Sequence, residues 1–279
     1  MSRSLTLRAA VVSIALLAAF LFSWHHATRG IGAVQQMSPE YAKLMGVTAT
    51  QGKSAMPGPL DVGATLLEHL RQPFYDRGPN DKGIGIQLAY SVARVAVGYL
   101  LAVLIAIPIG FLIGMSPLMS RALDPFIQIL KPISPLAWMP LFLYTIKDSA
   151  WAAVLVIFMS SLWPTLANTA FGVASIRKDY LNVAAILQLS WWRRLVTVIL
   201  PGAAPAVVAG LRISIGSSWV AIVAAEMLIG GTGVGYFVWN EWNNLQLTSV
   251  IFAILAIGLI GVLLDAGLGR LSRRLAYAD

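Results

Sequence analysis

An all-α membrane protein with about six transmembrane helices is the fold class this sequence predicts, on three observations. Hydrophobic residues make up 58% of the chain and charged residues only 11%, against roughly 25% charged in an ordinary soluble domain. The apolar residues gather into runs near the length of about 20 residues that crosses a bilayer as a helix. Lys and Arg fall between those runs, where they set orientation in a membrane. The formal net charge of +8 therefore reads as a topology signal rather than a nucleic-acid footprint, because the basic residues form no single stripe or tail.

The first apolar run, Ala9 to Trp24, follows Arg3 and Arg8 and lacks a small-x-small cleavage site before Thr28. It reads as an uncleaved signal anchor, residues 9–28, with 1–8 cytoplasmic, and it is short for a span. Residues 29–87 are polar and broken by Pro57, Pro59, Pro73 and Pro79. They form an extracytoplasmic segment, too long for its own basic residues to decide topology. Residues 88–270 hold the membrane core. Leu88 to Met115 is the second span, ended by Ser116-Pro117. The third, Leu123 to Ile146, is interrupted by Lys131, Pro132, Pro135 and Pro140; such breaks need neighbouring protein or a wet cavity to satisfy the freed backbone, which points this helix inward. Ala150 to Val173 is the fourth span and carries small residues suited to close packing (Ser160, Ser161, Ala167, Ala170, Gly172). Pro201 to Ile229 is the fifth and Ser249 to Gly267 the sixth, with a flexible Gly-rich aromatic loop, GGTGVGYFVWNEWNN, between them.

On this topology Arg3, Arg8, Arg121, Arg177, Lys178, Arg193, Arg194, Arg270, Arg273 and Arg274 lie inside, and only Lys147 falls in a short outside loop. That asymmetry puts both termini, including 271–279, and the loop 175–200 in the cytoplasm. In this loop Asp179 can cap a short helix whose one face carries Tyr180, Val183, Ala184 and Leu187. Ser190 can cap a second short helix with Trp191, Trp192, Arg193 and Arg194, ending against Pro201. Two short helices with an apolar stripe and basic flanks dock either a protein or the lipid headgroups.

The chain has no cysteine, which excludes disulfides, thiolate metal sites and a cysteine nucleophile. His25 and His26 stand together and His69 alone, so interfacial anchoring is a better reading than metal binding. There is no P-loop, no H-E-x-x-H, no G-x-S-x-G and no carboxylate pair at catalytic spacing. Gly230-Gly231-Thr232-Gly233-Val234-Gly235 is not a dinucleotide fingerprint. The residues thus predict no enzyme, no metal site and no nucleic-acid partner.

Charges inside spans are expensive, so Arg94, Lys131, Arg212, Glu226 and Asp265 stand out. Arg94 and Asp265 lie near span ends, where a side chain can snorkel. Lys131 and Arg212 attract an anion toward a central path, or else these charges, Arg212 and Glu226 among them, pair with one another to hold helices together. Ser214, Ser217 and Ser218 follow Arg212, and Thr165 and Asn168 lie on the fourth span. Their donors either replace water around an anion or bond between helices.

The pattern Asn182-Val183-Ala184, three further residues, Gln188, then Val198-Ile199-Leu200-Pro201 resembles the cytoplasmic EAA loop of binding-protein-dependent ABC importer permeases. Asn182 stands where that motif has Glu and Gln188 where it has Gly. LDPFIQILKPISPLAWMPL (Leu123 to Leu141), SSLWPTLANTAFGV (Ser160 to Val173) and AGLRISIGSSWVAIVAAEML (Ala209 to Leu228) resemble the nitrate, sulfonate and taurine permeases. QPFYDRGPNDKGIG (Gln72 to Gly85), NTAFGV and DYLNVA are similar to the nitrate branch and its bicarbonate relative. The likeness runs from Pro57 onward.

This resemblance implies a type I ABC importer permease bundle with cytoplasmic coupling helices, multi-pass in a bacterial inner membrane. Its expected partners are ABC ATPase subunits, a periplasmic substrate-binding protein and a second permease chain, forming a homodimer within membrane lipid. It implies no cofactor on this chain, with ATP and Mg on the ATPase subunits, and alternating access as the mechanism. The implied coupling residues are Asp179, Tyr180, Asn182, Val183, Ala184, Leu187, Gln188, Ser190, Trp191 and Trp192, with Tyr180, Val183, Ala184 and Leu187 filling a cleft of the ATPase. A charge at Ala184 should then uncouple transport and leave the chain in the membrane. The candidate pathway residues are Lys131, Thr165, Asn168, Arg212, Ser214, Ser217 and Ser218. Nitrate is the implied substrate; bicarbonate, cyanate or a taurine-like sulfonate on the same fold is the alternative. An ion-gradient-driven secondary transporter predicts inverted repeats and midplane carboxylates, for which Glu226 alone qualifies. A membrane enzyme lacks a catalytic constellation.

Overall fold

A computed structural model describes residues 3–29 and 56–275. Residues 30–55 of the predicted extracytoplasmic segment, and the chain ends at 1–2 and 276–279, lie outside the described residues. The helices are α1 (Arg3–Arg29), α2 (Pro59–Arg71), α3 (Ile84–Met115), α4 (Pro117–Leu130), α5 (Met139–Ile146), α6 (Ser149–Ala174), α7 (Lys178–Ile186), α8 (Trp191–Ile229), α9 (Val234–Asn243) and α10 (Leu247–Leu275). A 3-10 turn, Pro135–Trp138, precedes α5. Among the described residues the only β feature is an isolated bridge between Asp76 and Lys82. Among the described residues five helices are long and apolar enough to cross a membrane, or six if a bent pair forms one span.

Two compact units emerge. The smaller comprises residues 1–73 and 241–254. Within it Pro59 sits at the first position of α2 and the Gly58 N–H donates to Asp61 Oδ2 at 3.0 Å, closing the helix start. The His69 ring stacks on Phe252 at 4.8 Å, with Nε2 3.2 Å from Ser249 Oγ. Burial lowers the His69 pKa below its ordinary 6.5, against the raising influence of Glu68. A lowered folded pKa means the stabilisation is present above about pH 6.5 and is lost as pH falls through the folded value. Melting curves should therefore be flat above that pH and decline on acidification, and His69→Phe should flatten the acid limb.

The larger unit, residues 74–240 and 255–279, is built on three helices, with α6 packed against both α3 and α8. Small residues set the spacing. A Cβ on Gly98 of α3 would stand 2.6 Å from the Val154 carbonyl of α6, so the two backbones touch there. Met139, Ala152, Val156, Ala221 and Ala225 form one apolar cluster. Val173, Ile199 and Ala203 form another, with Ile176 and Leu181 packed on it.

The interruption expected in the third span is a sharp bend: α4, which begins at Pro117 rather than Leu123, meets the Pro135–Ile146 segment at 81° after a short break. Pro132 lies inside that break and Pro135 ends it, where each removes a backbone donor. Two other elements depart from expectation. The second helix predicted for the loop 175–200 does not stop at Pro201. It continues through a π turn, Leu195–Ile199, into the rest of α8, with the Leu200 N–H bonded to the Leu195 carbonyl. The wider turn lets the helix absorb a residue that lacks an N–H. The Gly-rich loop is largely helical, as α9.

Candidate functional site

The loop between α6 and α8 begins with Ser175, whose hydroxyl donates to the Gly172 carbonyl at 3.0 Å. Arg177, not Asp179, is the residue before α7. Asp179 lies in the first turn, a favourable place for an anion, 2.9 Å from Arg177 on an exposed surface. Tyr180, Asn182, Val183 and Leu187 are exposed. Ala184 is only 2% exposed; it faces the chain, so it packs the loop rather than offering contact surface. Ile186, which the helical-face reading passed over, is the most exposed apolar side chain here at 80%. Ser190 precedes α8 without a side-chain cap bond, and Trp191 and Trp192 meet edge to face at 4.6 Å. Behind the loop lies a cavity of about 520 Å³ lined by Val183, Ala184, Leu189, Val198, Pro201 and Pro205 among others.

Gln188 ends α7 with a left-handed backbone, φ 48°. The Gln188 N–H donates to the Ala185 carbonyl at 3.0 Å and the Leu189 N–H to the Ala184 carbonyl at 3.1 Å, the paired bonds of a Schellman cap. This is where the resembling motif has Gly, and the geometry gives the reason, since a left-handed C′ position suits a residue without a Cβ. Gln188→Gly should raise stability by about 0.5–1 kcal/mol, read as an increase in melting temperature with no change in membrane level.

The predicted pathway residues do not converge. Lys131, Asn168 and Ser217 line one cavity of about 410 Å³ beside the break of the bent pair, together with Pro135, Met159, Ser160, Trp163, Pro164 and Ala167. Ser160 and Trp163 were not among the predicted residues, although both sit in the SSLWPTLAN segment. Thr165, Ser214 and Ser218 are instead fully buried. Ser218 bonds to the Ser214 carbonyl at 2.7 Å and to Ser161, so Ser218 joins α8 to α6. Ser214 bonds to the Leu211 carbonyl of its own helix at 3.0 Å, and the Thr165 hydroxyl has no partner among the described residues. Arg212 holds Asp265 through two bonds, 2.9 Å and 2.6 Å.

Glu226 does not pair with Arg212, and Arg94 does not snorkel. Arg94 Nη1 donates to Glu226 Oε1 at 2.8 Å and to the Thr232 carbonyl at 2.6 Å. Ser91 Oγ lies 2.9 Å and 2.7 Å from the two carboxylate oxygens, and the Gly235 N–H donates to Oε2 at 3.1 Å. The Gly233 N–H donates to Gln87 Oε1 at 2.6 Å and the Val234 N–H to Ser91 Oγ at 2.9 Å. The Gly-rich turn is therefore pinned, not flexible: the buried carboxylate satisfies the start of α9, where free N–H groups favour an anion. Gly233 and Gly235 have no room for a side chain, since a Cβ would overlap the Glu226 carboxylate at one and the Val223 carbonyl at the other. The signal for this cluster was present: Gln87, Ser91 and Arg94 recur at i, i+4 and i+7, one polar face on an apolar helix.

Among the described residues no group of three or more His, Cys, Asp or Glu could hold a metal. The arrangement can dock a partner at an exposed apolar loop and can offer donors within the membrane-length helices.

Comparison with known proteins supplies the context. A sequence model of the family described as binding-protein-dependent transport system inner membrane component matches residues 106–277. The nitrate import permease protein NrtB of Leptolyngbya laminosa is 45% identical, with 80% of each chain covered. The bicarbonate transport system permease protein CmpB of Synechocystis sp. is 42% identical, with 74% of each chain covered. A chain of the MetNI methionine ABC transporter, solved in inward facing conformations, shares the fold at a TM-score of 0.61 and 14% identity, covering 68% of this chain and 95% of that one.

Proposed function

Because the chain belongs to the family of binding-protein-dependent transport system inner membrane components, we propose that it is the membrane-spanning permease subunit of an ATP-driven importer for nitrate, including nitrite as a close analogue. The observation that carries the substrate is the 45% identity to a nitrate import permease across 80% of both chains. ABC ATPase subunits dock on the cytoplasmic loop, a periplasmic substrate-binding protein delivers the anion, and a second copy of this chain completes the pathway as a homodimer. Both termini face the cytoplasm of a bacterial inner membrane. The chain has no P-loop, so ATP and Mg reside on the ATPase subunits, and this chain acts as a permease that is neither an enzyme nor a cofactor carrier.

Movement follows from continuity. Trp191, in the docking loop, starts the helix that ends at Ile229, so a push on the loop acts directly on an element roughly 58 Å long. Closure of the ATPase dimer displaces α7 and the start of α8 as one body through the Val173, Ile199 and Ala203 cluster. The rest of α8, which carries Ser217 beside the cavity and Glu226 near its far end, rocks with it. Alternating access results. Asp179, Tyr180, Asn182, Val183, Leu187, Gln188, Ser190, Trp191 and Trp192 carry the coupling, with Ala184 as packing behind them. Lys131, Asn168 and Ser217 face the pathway, Arg212 and Ser218 tie together the helices that form it, and Thr165 and Ser214 lie buried among them.

Uptake of ¹⁵N-nitrate by cells expressing the complete transporter tests the substrate, and co-purification of ATPase subunits tests the coupling. Import of bicarbonate in place of nitrate would support the second reading, which the 42% identical bicarbonate permease favours. Failure of any ATPase subunit to co-purify would overturn the importer reading.

A further inference from the structure

Of the five span charges singled out from the sequence, four are matched. Arg94 meets Glu226 at 2.8 Å and Arg212 meets Asp265 at 2.6 Å. Lys131 has no ion pair or hydrogen bond from its side chain among the described residues. It caps α4 at the elbow of the 81° bend. Lys131 is exposed; a charge within a span requires a counter-charge or water, and among the described residues no carboxylate meets it.

The cavity around Lys131 extends this imbalance. Its lining contains no carboxylate. Ser160 and Trp163 both line it, and neither makes a side-chain hydrogen bond among the described residues. Asn168 uses one amide N–H on the Pro164 carbonyl at 2.8 Å, which leaves its second free. Ser217 already donates to the Ile213 carbonyl at 3.1 Å, so it can only accept from a bound water. The cavity therefore has a cation and several unmatched donors on its wall, and its volume of about 410 Å³ exceeds that of a small oxyanion, leaving room for part of the water shell.

We propose that the elbow cavity is an anion station on the transport path, which takes a small monovalent oxyanion of the nitrate class with Lys131 as counter-charge and Ser160, Trp163 and Asn168 as neutral donors. This rests on the importer reading above and gives it a site. One cation opposed mainly by neutral donors holds the ion firmly enough to draw it from water and loosely enough to release it, the balance that conduction requires. A cation or a zwitterion finds no acceptor charge on this wall, so the station also discriminates by charge.

The test is ¹⁵N-nitrate import by the complete transporter, with the ATPase subunits and binding protein present, in proteoliposomes at saturating nitrate. Lys131→Met should lower import about 10- to 100-fold, the equivalent of one lost charge-assisted hydrogen bond. Lys131→Arg should retain most import, and Ser160→Ala should lower it several-fold, with ATPase subunits co-purifying with every variant. Import by Lys131→Met at the wild-type rate, or equal loss in the Met and Arg variants, overturns the station and leaves the importer reading intact. If Lys131→Met fails to assemble, Ser160→Ala and Trp163→Phe decide: reduced import in both supports the station, and wild-type rates in both overturn it. If the wild-type protein imports bicarbonate and not nitrate, the substrate named above fails while the station stands, provided Lys131→Met abolishes that import too.

Discussion

Glu226→Ala should be among the most damaging single substitutions in the membrane core. The carboxylate is 1% exposed, and its removal leaves Arg94 without its ion-pair partner and the Gly235 N–H without its acceptor. Breaking a buried ion pair from one side costs about 3–5 kcal/mol, mostly because the other charge stays buried and unmatched. The purified chain should melt at a markedly lower temperature and its level in the membrane fraction should fall. Glu226→Gln keeps an acceptor for Ser91 and Gly235 but not the counter-charge, so it should fall between wild type and Ala. The double replacement Arg94→Met with Glu226→Met should be milder than Glu226→Ala, because no lone charge remains. Wild-type melting by Glu226→Ala would show that the cluster does not hold α9 to α3 and α8.

Val183→Glu and Ile186→Asp should abolish coupling while the chain remains in the membrane at wild-type levels. Both side chains are exposed, 54% and 80%, so a charge there is hydrated in the free chain and unfavourable only when a partner covers it. A loss of about 2 kcal/mol or more at a docking centre corresponds to roughly 30-fold weaker binding. ATPase subunits should fail to co-purify and nitrate uptake should fall with them. Ala184→Glu makes a contrast. At 2% exposure it introduces a charge into the loop's own packing, and the amount of chain in the membrane should fall as well, unlike the clean uncoupling the helical-face reading expects. Normal uptake by Val183→Glu and Ile186→Asp would remove this face of α7 from the docking surface.

Long apolar runs make the spans legible in the sequence alone. Continuous hydrophobicity over 20 or more residues has few outcomes other than a membrane helix, because lipid offers the backbone no hydrogen bonds. Helix ends were less legible. Pro201 reads locally as a stop, yet the π turn before it carries α8 through. The Gly-rich stretch reads as a loop, yet Glu226, Ser91 and Gln87 supply the partners that hold the start of α9. In both cases the deciding hydrogen bonds were set by geometry that composition does not encode.

The candidate site divides in the same way. The exposed apolar character of the coupling loop was readable from Tyr180, Val183 and Leu187, but which side of α7 faces outward was not: Ala184 turned in and Ile186 out. Charge pairing was readable in kind. Its partners were not, because Arg94 and Glu226 are brought together by the packing of α3 against the end of α8, across 132 residues of sequence.

By itself the sequence determined that this is an α-helical membrane chain, roughly where its helices run, and which loop carries an exposed apolar stripe. Those properties depend on local composition and period, which each segment carries alone. Only the tertiary structure decided that Arg94 neutralises Glu226, that Arg212 is held by Asp265, and that Lys131 lines a cavity whose wall holds no carboxylate. Electrostatic energy depends on distances between groups far apart in the chain, and those distances exist only once the helices have packed.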